Sequence, residues 1–166
     1  MEKYAREANL PLTLIRPGSF MENIGTNFFP VKRGRVRGFV DGDAKMPYVC
    51  CADIGALAAI ALTRRPEFLG SVINAVGDLS SGDDIVRILS DLGPGKPFRY
   101  SAAPAWVMWL FAREFYAMRR TFERYGRPPL LSEIADLPEE TRKIYPEATT
   151  METFLRGRGF EEKAFA

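Results

Sequence analysis

The stretch Leu10-Pro11-Leu12-Thr13-Leu14-Ile15-Arg16-Pro17-Gly18-Ser19-Phe20-Met21-Glu22-Asn23 decides how the chain is read. Residues 12–15 are a short, β-rich apolar run, and Arg16-Pro17-Gly18 stops it. Just upstream, Met1, Tyr4, Ala5 and Ala8 fall at i, i+3, i+4 and i+7, the stripe of an amphipathic helix over residues 1–8. Leu10-Pro11 ends that helix, because a residue before proline avoids the α region. Helix followed by buried strand is the grammar of an α/β unit with a parallel sheet. A buried parallel strand needs strand neighbours and helices on its faces. The nearest partner downstream is residues 71–76, and two strands do not complete such a sheet. Nor does any Ser, Thr, Asp or Asn stand ahead of the first helix as a cap. The chain therefore reads as starting in the middle of a helix.

Further elements follow outward from this segment. Residues 20–29 are expected to form a short helix, and residues 33–44 a glycine-containing loop or hairpin. Residues 46–51 read as a strand leading to Asp53, the expected N-cap of an Ala-rich helix over 54–63. After the 71–76 strand, Ser81 with Asp84 three positions on resembles a capping box. It opens a helix over 83–92, whose apolar face is Ile85, Ile88, Leu89 and Leu92, and Gly93 stops it. Residues 98–100 are a brief strand. The remainder reads as helical: a long helix from Pro104 to about Tyr125, ended by Gly126 and Pro128-Pro129, then short helices over 131–137 and 139–144. The last helix is expected to be capped by Thr149 with Glu152, and to end at Gly157 or Gly159.

Composition narrows the chemistry. The 166 residues are 46% hydrophobic, enough for one domain with a core, and 23 basic side chains nearly balance 21 acidic ones. No global field therefore points to nucleic acid or to an acidic membrane. There is no histidine, which removes imidazole-based triads, general bases and metal ligands. No metal-ligand spacing is present. Two adjacent cysteines, Cys50 and Cys51, make no disulfide framework, and no N-x-[ST] sequon occurs, so a reducing cytoplasm is expected. The charged first residues lack a signal-peptide core. The longest apolar run, residues 102–112, is too short to cross a bilayer, which takes about 20 residues.

Several motifs are missing. No G-x-G-x-x-G, phosphate loop or Y-x-x-x-K occurs; Tyr116 has Arg120 where the lysine would stand. Lys32, Arg33, Arg35 and Arg37 could grip a phosphate, but no aromatic platform is interleaved and a solvated loop is the plainer reading. Cys50 and Cys51, on opposite faces of a strand, read as a core thiol and its neighbour rather than a redox pair. Trp106, Val107, Trp109, Leu110, Phe111, Phe115, Met118 and Phe122 give the long helix a wider apolar surface than a simple stripe. Core packing is the plainer reading; a hydrophobic substrate lid, a dimer face or a membrane-surface contact are the alternatives.

The opening stretch resembles the T-x-x-R-P-G-x-F-M-E-N segment of NmrA-like proteins, an atypical branch of the short-chain dehydrogenases/reductases. Three later features keep that family's order. They are Tyr48-Val49-Cys50-Cys51-Ala52-Asp53-Ile54-Gly55, Val76-Gly77-Asp78-Leu79-Ser80 with Asp84-Ile85, and Gly95-Lys96 followed by Phe98-Arg99-Tyr100. The resemblance implies an α/β, Rossmann-like NAD(P)-binding fold with a mainly helical substrate subdomain. On this reading the chain is the C-terminal portion, and the N-terminal nucleotide-binding half is absent. Residues 1–101 would complete the NAD(P)-binding domain, and residues 102–166 would form the helical subdomain.

The resemblance also implies a site. The turn after the R-P strand lies beside the nicotinamide in relatives, in keeping with ligand binding at the carboxyl ends of parallel strands. Pro17, Gly18 and Ser19 are thereby the expected cofactor-binding residues, and Phe20, Met21 and Asn23 the expected substrate-binding ones. Without the resemblance, Pro-Gly is simply a turn. No catalytic residue is assigned, because the family's active-site lysine would precede Met1. The implied function is the substrate side of an NAD(P)-dependent oxidoreductase or epimerase-type protein acting on a small-molecule substrate. As an isolated chain it is expected to be inactive and to bind no cofactor. The alternatives are a non-catalytic NAD(P)-sensing regulator that binds a protein partner, and an interaction module built on the aromatic helix. No nucleic-acid partner and no transmembrane segment are expected. The open edge of the 12–15 strand suggests self-association or a homo-oligomer.

Overall fold

A computed structural model describes residues 2–8, 10–92, 97–111 and 113–158. The chain begins with α1 (Glu2–Glu7), β1 (Leu14–Pro17) and β2 (Ser19–Phe20), then a single 3-10 turn, Met21–Asn23. The hairpin strands β3 (Val31–Lys32) and β4 (Arg35–Gly38) follow, then β5 (Met46–Val49), α2 (Cys51–Thr63) and α3 (Arg65–Phe68). Next come β6 (Val72–Ala75), β7 (Asp78–Ser80), α4 (Gly82–Leu92) and β8 (Arg99–Ala102). The helical remainder comprises α5 (Ala105–Phe111), α6 (Arg113–Tyr125), a 3-10 turn at Leu130–Glu133, α7 (Leu137–Ile144) and α8 (Met151–Gly157).

Among the described residues the strands form three small sheets. β1 and β6 run parallel, Leu14 opposite Val72 and Pro17 opposite Ala75, the pairing expected from the sequence. β5 lies between β2, parallel, and β7, antiparallel. β4 lies between β3, antiparallel, and β8, parallel. The main core gathers Met21, Ile24, Phe29, Val36, Met46 and Tyr48 against Ile85 and Leu89 of α4 and Met151 and Leu155 of α8. A second cluster, Val49, Leu57, Phe68, Ile73 and Ala75, seats α2 and α3 on the β1–β6 pair. The helical tail covers this body, α7 lying on β6 and α8 on α4.

Several expectations need correction. The β1 strand starts at Leu14, and its burial stops halfway: Leu14 and Ile15 are half-buried, Arg16 and Pro17 exposed. Only β6 flanks it among the described residues. Residues 20–29 form no helix. Phe20 belongs to β2, and after the 3-10 turn Gly25 takes φ +88°, a left-handed conformation that turns the chain back so that Ile24 bridges Phe29. Asp53 is not the cap of α2, because the helix starts two residues earlier. Nor do the cysteines alternate on a strand: Cys50 caps α2 and Cys51 is its first residue. The final cap is Thr150 rather than Thr149, with its hydroxyl accepting from the Thr153 N–H, while Glu152 pairs with Arg156. Helix α7 starts at Leu137, and the residues before it make only a 3-10 turn. The Ser81–Asp84 capping box forms as expected, Ser81 N–H donating to Asp84 and Asp84 N–H to the Ser81 hydroxyl at 2.8 and 3.1 Å. Gly93, Gly95, Lys96, Ala112 and Gly159, which entered the sequence reading, lie outside the described residues.

Candidate functional site

At the carboxyl end of β1 the chain passes directly from one sheet to another. The Gly18 N–H donates to the Ala75 carbonyl at 3.0 Å, the last rung of the β1–β6 pair. One residue on, Ser19 already pairs opposite Tyr48 of β5. This transfer brings the β5 backbone against Gly18, where an added Cβ would lie 2.7 Å from the Pro47 carbonyl oxygen. The missing side chain thus accommodates β5 itself.

Around this crossing the six expected residues separate. Pro17 is exposed, and Gly18 and Ser19 are half-buried. Phe20 leaves two-fifths of its surface open. Met21 is completely buried in the main core. Asn23 is half-buried, and its backbone carbonyl accepts from the Thr26 N–H at 3.2 Å and the Thr26 hydroxyl at 2.7 Å. The Ser19 hydroxyl and the Asn23 side-chain amide make no hydrogen bond among the described residues. Pro17, Gly18, Ser19 and Phe20 therefore meet at the strand end, Asn23 stands one turn away, and Met21 faces inward.

Glu22 has a role that the sequence reading did not assign. One carboxylate oxygen accepts from the Cys51 N–H at 2.9 Å and from the Cys50 thiol at 3.1 Å. It thus places negative charge at the N-terminus of the 13-residue α2, the end where a helix favours an anion. Its other oxygen, Oε2, is buried without a hydrogen-bond partner. Burial pushes the Glu22 carboxyl up, but the bonds from Cys51 and Cys50 outweigh it and leave the pKa below the ordinary value. The thiols respond in the opposite sense. Burial and then the Glu22 carboxylate raise Cys50, and the same two causes push Cys51 up to about 11. Both are thereby held as thiols near neutrality.

Asp53, released from the cap, is buried and accepts from the Thr149 N–H at 2.7 Å and the Thr149 hydroxyl at 3.0 Å. The signal for Glu22 lay in Met21-Glu22-Asn23, but only the fold brings it to α2. Two tyrosines are committed elsewhere. Tyr48 is buried, and the Tyr100 hydroxyl donates to the Val40 carbonyl at 2.8 Å. Burial raises both phenols. Among the described residues, no group of three or more His, Cys, Asp or Glu gathers to hold a metal, and no helix is long and apolar enough to cross a membrane.

The profile of the NmrA-like family matches residues 1–155. The chain belongs to the NmrA-like family. Solved structures with this fold include NmrA, a negative transcriptional regulator, in complex with NAD (TM-score 0.68, 18% identity, 93% of this chain and 54% of that one). NmrA in complex with NADP gives a TM-score of 0.64 at 18% identity, with the same coverage. A nucleoside-diphosphate-sugar epimerase from Staphylococcus aureus gives 0.69 at 18% identity, covering 93% of this chain and 55% of that one. At these identities the likeness concerns the fold. The chain spans about half the length of these NmrA-like structures. No curated protein sequence matches the chain significantly.

Proposed function

We propose that this chain forms the substrate side of an NAD(P)-dependent, NmrA-like oxidoreductase or epimerase-type protein. It would work with a glycine-rich nucleotide-binding segment, a motif that its 166 residues do not contain. The supporting observation is the end of β1. There a parallel strand delivers two uncommitted polar groups, the Ser19 hydroxyl and the Asn23 amide, beside the half-open Phe20 ring. Ligands of α/β proteins bind at such strand ends. Bound NAD(P) would supply the hydride chemistry. Pro17, Gly18 and Ser19 would border its nicotinamide end, and Phe20 and Asn23 would orient a small substrate. Met21 would act from beneath, by fixing the turn. These residues fit one end of the cofactor and offer nothing for its pyrophosphate.

The chain alone is therefore expected to bind no NADPH, and a thermal shift at millimolar NADPH would contradict this. The reading frame ahead of the Met1 codon is expected to encode a glycine-rich strand–turn–helix, and its absence would overturn the proposal. In a protein joined to such a segment, NADPH consumption is measured against aldehydes, quinones and enones. Ser19→Ala and Asn23→Ala should then lower kcat/KM by about tenfold each, the worth of one lost positioning hydrogen bond.

The second reading is a regulator that senses NAD(P) without turning a substrate over and binds a protein partner. It is favoured by the lack, among the described residues, of an activated nucleophile or acid at the turn. Burial raises both central tyrosine phenols, the cysteines are held as thiols rather than thiolates, and the Ser19 hydroxyl has no hydrogen-bonded base. Turnover in the same panel would eliminate it.

A further inference from the structure

The β3–β4–β8 sheet carries its charge on one face. Lys32 of β3 lies opposite Arg35 of β4, and Arg35 lies opposite Arg99 of β8. Side chains alternate along a strand, so partners in register share a face. Val31, Val36 and Gly38 are buried on the inner face, whereas Lys32, Arg35, Arg37 and Arg99 are exposed on the outer one. The result is a row of three cations on neighbouring strands about 4.8 Å apart, with Arg37 one step along beside Ser101. Like charges directly opposite destabilise a sheet. None of these residues makes an ion pair or a side-chain hydrogen bond among the described residues. The clustering does not follow from composition either, because the chain's net charge is only +2.

The turn adds to the row. Arg33 and Gly34 join β3 to β4, both in the left-handed region at φ +50° and +69°. Such two-residue turns favour Asn-Gly. Here an arginine accepts the unfavourable backbone and brings a fifth cation to the tip. Two depressions share Arg33 and Arg35. One, of about 380 Å³, is lined by Pro30, Lys32, Arg33, Arg35 and Arg37. The other, of about 270 Å³, is lined by Arg33, Gly34, Arg35, Pro97 and Arg99.

We propose that this outer face is a binding site for a small oligophosphate anion. Guanidinium groups match phosphoryl oxygens in two-pronged hydrogen bonds, and linked phosphoryl groups concentrate enough charge to meet several cations at once. The volumes suit a small molecule. The lining holds no aromatic ring for a nucleobase to stack on, and β3, at two residues, is too short to template an added peptide strand.

The test is calorimetric titration of the 166-residue chain with inorganic tripolyphosphate. Binding with one-to-one stoichiometry that weakens as salt rises is expected. Arg35→Gln/Arg99→Gln should weaken it by about tenfold or more, given two lost charge-assisted contacts. Arg120→Gln/Arg124→Gln removes equal charge from α6 and should leave binding unchanged. Relief of like-charge repulsion should also let the Arg35→Gln/Arg99→Gln protein melt no lower than the parent, so that weakened binding cannot be ascribed to unfolding. Absence of binding, or an equal loss in the α6 control, would overturn the proposal. Tighter binding of an oligoglutamate peptide or of oligothymidylate would also overturn it, by assigning the face to an acidic protein segment or to nucleic acid.

Discussion

Glu22 and Asp53 show how two carboxylates from separate segments fix the start of α2 and the approach to α8. Asp53 is buried and satisfies both the N–H and the hydroxyl of Thr149. Asp53→Ala would strand that N–H, and a loss of about 2–3 kcal/mol in chemical denaturation is expected. Gly77 borders the same segment, and a Cβ there would lie 2.4 Å from the Thr149 carbonyl oxygen, so substitution must displace backbone. Glu22 acts on reactivity as well as on the cap. Burial dominates the raised Cys51 pKa of about 11, and the Glu22 carboxylate adds to it. Glu22→Gln keeps the size and removes the charge. The thiol pKa should fall, and labelling of Cys51 by a disulfide reagent at mildly alkaline pH should accelerate by about two- to threefold. An unchanged labelling rate would show that burial alone governs the thiol. The sequence made Asp53 legible as a residue at the start of a helix. It could not show that Glu22, 29 residues before Cys51, would take the cap, because β2–β5 pairing creates that proximity.

At the scale of elements, α4 and α6 are each anchored by charge. Asp84 closes the α4 capping box and meets the Lys45 ammonium at 2.5 Å. Burial opposes ionisation, yet Lys45 and Ser81 together hold the carboxyl far below its ordinary value. A lowered folded-state pKa stabilises fully above the unfolded value of about 4, and the gain drains away as pH falls below it. Asp84→Asn should therefore destabilise the protein near neutrality. Its melting temperature should converge on that of the parent as pH is lowered through about 4 toward 2. Helix α6 is pinned by Arg119, buried and donating to the Ala103 carbonyl, Asp41 and Glu123 at 2.6, 2.5 and 2.7 Å. Arg127, just beyond the helix, grips Asp43 and Asp41. Arg119→Met keeps the apolar stem but takes the Ala103 carbonyl's donor and the cation between Asp41 and Glu123. Among the described residues those carboxylates keep only Arg127 and the Asp41 N–H as partners, for an expected loss of about 1–3 kcal/mol by denaturant titration. Local signals of this kind read well from sequence when both partners sit within four residues, as with Ser81 and Asp84. They were invisible when, as with Arg119 and Asp41, the pair spans 78 residues. The 20–29 segment departs from the expected helix for a related reason: its apolar residues follow a helical spacing, yet Met21, Ile24 and Phe29 are buried through strand crossing and a glycine turn.

For the molecule as a whole, the β1–β6 pair is the feature from which association in solution is expected. β1 has β6 on one edge and no strand on the other among the described residues. Beside it, Pro11, Thr13, Ile15, Ala58, Ala61, Leu62, Arg65 and Leu69 line a largely apolar groove of about 400 Å³. Leu62 is 77% exposed and Leu69 is 45% exposed. An open strand edge and an uncovered apolar groove at one place favour association with whatever can pair and pack there. In a preparation of this chain alone, the abundant partner is another copy. Sedimentation velocity over a range of concentrations should therefore show reversible self-association. Because Leu62 is so exposed, Leu62→Arg should leave the melting transition nearly unchanged while shifting the population toward monomer. If the parent sediments as a monomer at every concentration, with a sharp cooperative melt, the β1 face is not adhesive. The half-buried β1 would then be a tolerated sheet edge, and the proposal of an added nucleotide-binding segment would have to stand on the polar groups at its carboxyl end.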